Sequence, residues 1–316
     1  MPKGIISQYN SIKFSVIIPA FNAASFIEKA LDSVRFQSYN NYEVIITNDG
    51  STDGTEKIVK EYLESYDSFP AVLLNQQNKG LGGARNTAIS EAKGDFLAFL
   101  DADDIWYPHK LCIIGGFLLN NPHIDIICHN EVEVSYDGKK RVLNYGMLKK
   151  PYYEDLLFNG NRLSPSATIV RSELLKKSGG FSEEVDFLHG CEDYDLWLKL
   201  AKEGASFANF PEVLGEYYRI PGALTSKIEA HSRFGYNVRQ RHLNALKEEG
   251  VYSSHFLKKM ADKISREYLY TLARAFFHAG DHERARKYYR EAINESPLWW
   301  KPYAGILQLY SYNKVR

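Results

Sequence analysis

A regular alternation of short apolar runs and longer helical stretches over the first hundred residues constrains the fold most strongly. The runs are rich in β-branched residues, are too short for helices, and lie at residues 14–19, 42–47, 71–75 and 95–100. Between them apolar residues recur at helical spacing, as at Phe26, Ala30 and Val34. This pattern predicts strands buried on both faces of a parallel sheet, with helices on both sides and ligands at the carboxyl ends of the strands.

The pattern becomes mixed beyond Trp106. Asp137-Gly138 is a strong hairpin signal, and a later helix begins in acidic residues that complement its dipole. In chain order we predict a helix at 108–121, strands at 124–135, 139–143 and 164–170, a helix at 192–202, and strands at 206–210 and 213–219. The predicted fold class is therefore α/β, with a mixed, mainly parallel sheet.

Charge divides the chain into two parts. The 316 residues hold 39 Lys and Arg and 39 Asp and Glu, but residues 1–225 carry a net charge of −8 and residues 226–316 a net charge of +8. We predict two domains, 1–226 and 227–316, with an anionic partner for the basic part; mutual attraction of the two parts is the alternative. No apolar run approaches the roughly 18 residues of a membrane span, and three cysteines without C-x-x-C spacing favour a reducing cytoplasm.

The basic part is predicted to be small and entirely helical. Residues 269–297 resemble one tetratricopeptide repeat. The residues at the packing positions of that repeat are Leu272, Ala273, Phe276, Gly280, Ala285, Tyr289, Ala292 and Pro297. A next helix, containing Tyr303, Leu307 and Tyr310, would have no partner helix. Two roles of this helical region remain open. It could pack on the main domain or on a second copy, or it could bind a peptide.

The sharpest chemical motif is a cluster of acids, Asp101-Ala102-Asp103-Asp104, directly after a predicted buried strand. Three carboxylates there repel one another unless a cation or solvent offsets their charge. Two acids separated by one residue can converge on a hard divalent ion such as Mg²⁺ or Mn²⁺. A solvated acidic turn is the alternative. An EF-hand is excluded, because Ile105 would occupy its fifth position.

A second polar segment, residues 48–54, follows the second predicted strand. Its Asp49 faces the switch point of the sheet, where a carboxylate could accept a hydrogen bond from a base imide or a ribose hydroxyl. Ser51 or Thr52 would cap the next helix. A capped loop without a ligand is the alternative, but it leaves Asp49 unexplained.

A third segment, residues 78–86, is rich in glycine and opens a helix. The glycines would let backbone approach a ligand, and Lys79 and Arg85 would supply positive charge for a phosphate. The spacing matches neither the dinucleotide fingerprint nor the phosphate loop, which argues against a dehydrogenase and a P-loop ATPase.

Together these motifs resemble the inverting family 2 glycosyltransferases of GT-A fold. VIIPAFN, NDGSTDGT, NKGLGGARNTAI, GDFLAFLDADD and GCEDYDLWLKL occur in the family's order and spacing, over residues 13–226. The resemblance implies a GT-A fold, a nucleotide-diphosphate sugar as donor, and Mg²⁺ or Mn²⁺ as cofactor. It implies Pro19, Phe21, Asn22, Asp49, Lys79, Arg85 and Asp101 for the nucleotide, Asp101 and Asp103 for the metal, Asp104 for the donor sugar, and Asp193 as catalytic base.

The residue chemistry agrees with inverting transfer. A divalent cation offsets the charge that develops on the departing diphosphate, and one carboxylate must take the proton of the attacking hydroxyl. Asp193, at a predicted helix start, suits that role. We interpret its neighbours Glu192 and Asp195 as acids that merely stabilise the helix N-terminus.

The chain departs from the family pattern after Tyr218-Arg219. Family members often carry a histidine there that completes the metal shell, whereas this chain has Pro221. Water, diphosphate oxygens or His231 would take its place, with a surface histidine as the alternative for His231. Arg219 is a candidate for the diphosphate.

We therefore expect a cytoplasmic glycosyltransferase that builds cell-surface polysaccharide or lipopolysaccharide on a glycan or lipid-linked glycan acceptor, without a nucleic-acid partner. Residues 232–247 mix basic and apolar side chains, so peripheral membrane contact through the basic C-terminal helices is one interpretation of this stretch. A solvated helix explains the same stretch and is the favoured alternative. A homodimer is a further expectation. The alternatives are a sugar nucleotidyltransferase, which would need a basic glycine-rich loop after the first strand, and a non-catalytic scaffold with a helical docking tail.

Overall fold

The computed structural model of the chain describes residues 11–184, 190–220 and 228–314. Two compact units are present: one comprises residues 1–185 and 192–221, and the other comprises 186–191 and 222–316. The domain boundary predicted at residue 226 lies outside the described residues.

The first unit alternates strands and helices over its N-terminal half. Its strands are β1 (Phe14–Ala20), β2 (Tyr42–Asp49), β3 (Ala71–Gln76), β4 (Phe96–Phe99), β5 (Ile105–Trp106), β6 (Ile126–Val134), β7 (Lys140–Leu143), β8 (Thr168–Arg171) and β9 (Phe207–Tyr218). Its helices are α1 (Ile27–Arg35), α2 (Thr55–Ser65), α3 (Gly80–Glu91), α4 (Lys110–Asn120), α5 (Tyr152–Asn159), α6 (Ser172–Lys177) and α7 (Glu192–Lys202).

In the described residues these strands form a single sheet in the order β3-β2-β1-β4-β8-β6-β9-β5, with β7 paired to β6. The first four strands are parallel, and β8 runs antiparallel between β4 and β6. β1 is buried along its whole length, because it lies between β2 and β4. The predicted α/β class with a mixed sheet is confirmed.

The structure departs from the predicted strands in three places. β3 is the edge of the sheet, so it is only half-buried, and Val72 is 50% exposed rather than covered on both sides. Residues 164–170 contain a 3₁₀ turn at Pro165–Ala167, and β8 begins only at Thr168. The two strands predicted at 206–219 are one strand, β9, whose register with β6 shifts where Pro211 interrupts the pairing.

The second unit contains four described helices: α8 (Ile228–Glu249), α9 (Ser254–His278), α10 (His282–Glu295) and α11 (Trp300–Lys314). Its core includes Leu272, Phe276 and Tyr289, which are residues predicted from the tetratricopeptide pattern. Within the stretch of α8 expected to meet a membrane, Val238 and Leu243 are buried and are not available to lipid, whereas Phe234 and Tyr236 are half-buried. None of the described helices is both long and apolar enough to cross a bilayer.

Candidate active site

The candidate site lies where β1, β2 and β4 end, since these parallel neighbours place their carboxyl ends at one edge of the sheet. The loop after β1 is fastened to the loop after β2. Asn22, in left-handed backbone conformation at φ 50°, donates its N–H to Ser51 Oγ over 3.0 Å and accepts at Oδ1 from the Thr52 N–H over 2.9 Å. The predicted capping role of Ser51 and Thr52 is therefore wrong: α2 begins at Thr55, whose N–H donates to Asp53 Oδ1.

Asp49, at the end of β2, is buried and is held by the last residue of β3 and by the segment that follows it. Its Oδ1 accepts a hydrogen bond from Gln76 Nε2 over 2.6 Å and one from the Lys79 N–H over 2.8 Å. Phe21, by contrast, is exposed on the β1 loop, and Pro19 is buried at the end of β1. This arrangement presents an oriented carboxylate and an aromatic ring at the same edge.

The glycines at the start of α3 serve contacts within the protein. A Cβ on Gly82 would lie 2.5 Å from the carbonyl oxygen of Ser182, and one on Gly83 would lie 2.6 Å from Lys79 Cβ. The Lys79 side chain is exposed. The glycine-rich segment thus lets α3 pack closely, in addition to the approach to a ligand that the sequence suggested.

Arg85 is the buried cation of the site and joins two acidic segments. Its Nη2 donates to Asp101 Oδ1 over 2.6 Å, and its Nη1 donates to Glu192 Oε1 over 2.8 Å. Phe181 lies under the guanidinium, 5.1 Å from the ring centroid. Burial alone would lower the pKa of Arg85, but the carboxylates of Asp101 and Glu192 more than offset burial, and the pKa is raised.

The acids after β4 are crowded. Burial, and then repulsion from Asp101, raise the pKa of Asp103 to about 6. Burial raises the pKa of Asp104 well above its usual value, and Asp103 adds to the effect. Both carboxylate oxygens of Asp104 have protein partners: Ser166 Oγ donates over 2.5 Å and the Tyr218 N–H over 2.9 Å. Asp104 is also only 1% exposed, so it offers little surface for a direct contact with a sugar.

Two buried polar residues, Ser166 and Lys110, hold the acidic loop of residues 101–104 in place. Ser166 Oγ accepts a hydrogen bond from the Asp101 N–H over 3.0 Å, and the Ser166 carbonyl accepts from Lys110 Nζ over 2.6 Å. Lys110 Nζ also lies 3.7 Å from the centroid of the Trp106 ring. Burial lowers the pKa of Lys110 well below its usual value, although the nearby Glu131 opposes that change. The backbone of the acidic loop is thereby held in one position.

Asp193 lies in the first turn of α7, directly after the partner of Arg85. It is 9% exposed, and its Oδ2 accepts a hydrogen bond from Asn161 Nδ2 over 3.3 Å. Burial, and then the charge of Glu192, raise the pKa of Asp193 to about 7. Arg85 opposes this shift and Asp101 adds to it, so these groups share one electrostatic environment. A carboxyl group that titrates near neutral pH can accept a proton and release it again.

The chemistry of the donor set fits a hard divalent cation at Asp101 and Asp103. Asp101 raises the proton affinity of Asp103, and two such neighbouring carboxylates gain by sharing a cation. In the part of the chain that the structure describes, no three His, Cys, Asp or Glu side chains are grouped for metal binding. Pro221 lies outside the described residues, and Nδ1 of His231 lies 3.8 Å from Cys191 Sγ. Arg219, exposed at the end of β9, donates its N–H to the Val134 carbonyl.

Four residues of the site are absent from the sequence-based set: Glu192, Asn161, Ser166 and Lys110. Glu192 was interpreted as a helix-start acid, yet it forms the buried ion pair with Arg85. Lys110 had a usable signal, because it precedes the apolar run of α4 at a position that faces the core. Asn161 and Ser166 carry no such signal, since small polar residues in loops are common.

Comparison with known proteins adds the family and the fold. The profile described as glycosyl transferase family 2 matches residues 15–179, about half of the chain, and a tetratricopeptide repeat profile matches residues 266–299. An uncharacterized glycosyltransferase of Rickettsia prowazekii is 30% identical over 254 residues, 78% of this chain and 72% of the relative. WfgD of Escherichia coli, a UDP-Glc:alpha-D-GlcNAc-diphosphoundecaprenol beta-1,3-glucosyltransferase, is 33% identical over 194 residues, 60% of this chain and 70% of WfgD.

Solved structures share the fold at low sequence identity. TarS of S. aureus, residues 1–349 in complex with UDP, superposes with a TM-score of 0.58 at 19% identity, covering 92% of this chain and 93% of TarS. The mannosyltransferase PcManGT from Pyrobaculum calidifontis, in complex with GDP-Man and Mn2+, superposes with a TM-score of 0.62 at 19% identity, covering 96% of this chain and 81% of that one. At this identity the likeness establishes the fold alone.

Proposed function

The chain belongs to glycosyl transferase family 2, and on that basis we propose that it transfers a sugar from a nucleotide-diphosphate donor to a hydroxyl group with inversion at the anomeric carbon. The observation that carries the proposal is Asp193. It is a buried carboxyl group with a pKa of about 7, directly after Glu192, which pairs with Arg85. The acceptor oxygen attacks the anomeric carbon, Asp193 takes its proton, and the bond to the diphosphate breaks in the same displacement. Family membership argues against the nucleotidyltransferase and scaffold alternatives.

The donor would be held along the edge formed by β1, β2 and β4. Phe21 and Asn22 would flank the base, and Asp49 would accept its imide N–H, supported by the two hydrogen bonds that orient its carboxylate. The exposed cations Lys79 and Arg219 would face the diphosphate. Pro19 would shape the base pocket from within the sheet.

A divalent cation, Mg²⁺ or Mn²⁺, when bound supplies positive charge that stabilises the departing diphosphate. Asp101 and Asp103 would hold it, with donor oxygens or water completing the coordination. Arg85 fixes the Asp101 carboxylate, and Ser166 fixes its backbone. Asp104 would lie near the donor sugar. Its hydrogen bonds to Ser166 and Tyr218 hold the loop that carries the other two acids.

The acceptor would be a glycan or a lipid-linked glycan of cell-surface polysaccharide or lipopolysaccharide biosynthesis. The relative WfgD acts on a diphosphoundecaprenol-linked sugar, which supports this class. A cytoplasmic location at the inner face of the membrane follows from such an acceptor. The homodimer, and the absence of a nucleic-acid partner, remain predictions.

Asp193→Asn tests the proposal. The substitution removes the proton acceptor but keeps the shape, so we expect transfer to fall by about 10²–10⁴-fold. Nucleotide affinity should stay within about twofold of the original protein, a difference of less than about 0.5 kcal/mol. Transfer is measured as nucleoside diphosphate release from UDP-, GDP- and dTDP-sugars with a diphosphoundecaprenol-linked acceptor. Asp195→Asn, in the same helix turn, is the matched control and should retain transfer.

The pH dependence of sugar transfer tests the role of Asp193 independently. Asp193 must be ionised to take a proton, so transfer by the unaltered chain should rise as the pH passes through about 7. Residual transfer by Asp193→Asn should lack that rise. Near-normal transfer by Asp193→Asn would show that another group is the base.

A further inference from the structure

The outward side of α11 carries a stripe of large apolar and aromatic side chains. Trp300, Tyr303, Leu307 and Tyr310 are all exposed, and Leu298 in the preceding turn is 99% exposed. At 3.6 residues per turn the four helical positions fall within an arc of about 80°. They therefore form one continuous surface, which is called here the α11 stripe.

The opposite side of α11 accounts for the packing of the helix. Leu309 is buried in the core that contains Tyr289, and Gly305 lies directly against the Tyr289 ring, because a Cβ there would come within 2.3 Å of it. The helix is thus already anchored without the stripe. On the stripe itself, Trp300 and Leu307 are 68% and 69% exposed. An exposed apolar patch of this kind marks an interaction surface.

The composition of the stripe fits the headgroup region of a bilayer. Trp and Tyr are enriched where one end of a ring meets hydrocarbon and the other meets water. The sequence of α11 contains no Asp or Glu. The Arg286 guanidinium lies 5.6 Å from the centroid of the Tyr310 ring. Residues 226–316 carry a net charge of +8, so an anionic surface is the complementary partner.

We propose that the α11 stripe docks the protein onto an anionic phospholipid surface. Its apolar side chains enter the headgroup layer, and Arg286, beside Tyr310, lies against lipid phosphates. This moves the membrane contact away from residues 232–247, where Val238 and Leu243 are buried. A second copy is disfavoured as occupant, because it would bring two basic surfaces together.

Vesicle binding by the full chain tests this docking without any substrate. The unaltered protein should co-sediment with vesicles that contain phosphatidylglycerol and bind much more weakly to phosphatidylcholine alone. The Trp300→Glu, Leu307→Glu double variant adds two carboxylates to an exposed surface, so it should fold normally, as checked by circular dichroism. We expect its partition coefficient to fall at least about tenfold. Val251→Glu, an exposed apolar position of the same unit, is the matched control and should bind as before.

Three outcomes would overturn the docking proposal. They are absence of binding to phosphatidylglycerol vesicles, unchanged binding by the double variant, and a dimer in solution that the double variant dissociates, which would identify a second copy as the occupant. Asp193→Asn should bind vesicles normally, so loss of the proposed catalytic role and loss of lipid docking are separately visible.

Discussion

The two acidic segments at the sheet edge differ in how the protein treats their charge. At the end of β2, Asp49 is buried but receives two short hydrogen bonds from Gln76 and the Lys79 backbone. At the end of β4, Asp101 raises the proton affinity of the neighbouring Asp103. The cation that pairs with Asp101, Arg85, also pairs with Glu192 from another element. Hydrogen bonds within the protein compensate the charge of Asp49. The repulsion among the acids after β4 is compensated only in part.

This difference separates recognition from chemistry. A carboxylate with its geometry already fixed recognises a hydrogen-bond donor with little reorganisation. Crowded carboxylates are poised to gain from a cation, and a neighbour with a pKa of about 7 is poised to take a proton. Substitutions in the second segment should therefore affect stability as well as activity, and those in the first segment mainly binding.

Arg85→Gln should give the largest effect on stability. It leaves the buried carboxylate of Glu192 and the partly buried carboxylate of Asp101 without their cation, and breaking such a buried pair typically costs about 3–5 kcal/mol in the free energy of unfolding. Urea titration measures the loss. Lys60→Gln, which removes the exposed partner of Glu56, is the control and should cost less than about 1 kcal/mol. Equal losses in the two variants would contradict the contrast between buried and exposed pairs.

Arg85 also shows how far sequence reasoning reaches. Strands were predictable because β-branched runs alternate with helical periodicity, and the acids were predictable as a group because they follow a strand. The ion pair between Arg85 and Glu192 joins residues 107 positions apart, and no local pattern encodes it. Glu192 also fits a simpler local rule, the stabilisation of a helix N-terminus by an acid, so nothing in the sequence pointed to Arg85 as its partner.

Ser166→Ala should give an intermediate effect. The serine hydroxyl links the Asp101 N–H to the Asp104 carboxylate, and its loss leaves two buried polar groups unpaired, at a cost of about 1–3 kcal/mol. Thermal unfolding and metal-dependent nucleotide binding should both weaken. Ser135→Ala in the exposed β6–β7 hairpin is the control. Unchanged values for Ser166→Ala would mean that the acidic loop does not depend on this support.

The buried polar residues next to the acidic loop could not all be predicted from the sequence, for a physical reason. Ser166 and Glu131 look like ordinary polar residues until β6, β8 and α4 pack around them. Lys110 was the one readable exception, because a lysine beside an apolar helical run is expensive to bury unless carboxylates lie nearby. Composition and spacing show which residues are polar, but three-dimensional packing determines which become buried.

Asp49→Asn should give the smallest effect on stability and a selective effect on binding. Asparagine keeps the Oδ1 acceptor for Gln76 and Lys79, so the free energy of unfolding should change by less than about 1 kcal/mol. The loss of a charged acceptor for the base should weaken nucleotide binding about tenfold, as measured by calorimetry. A strong destabilisation without loss of affinity would assign Asp49 to the fold rather than to recognition.

The most direct measurement concerns the cation expected between Asp101 and Asp103. Binding of UDP, GDP, dTDP and CMP is measured by thermal shift, with and without Mn²⁺, for the original chain and for Asp103→Asn. We predict that one nucleoside diphosphate stabilises the original chain only when Mn²⁺ is present, and that Asp103→Asn abolishes this dependence. Stabilisation that is independent of Mn²⁺, or a dependence that survives in Asp103→Asn, would contradict the assignment of these acids to the metal.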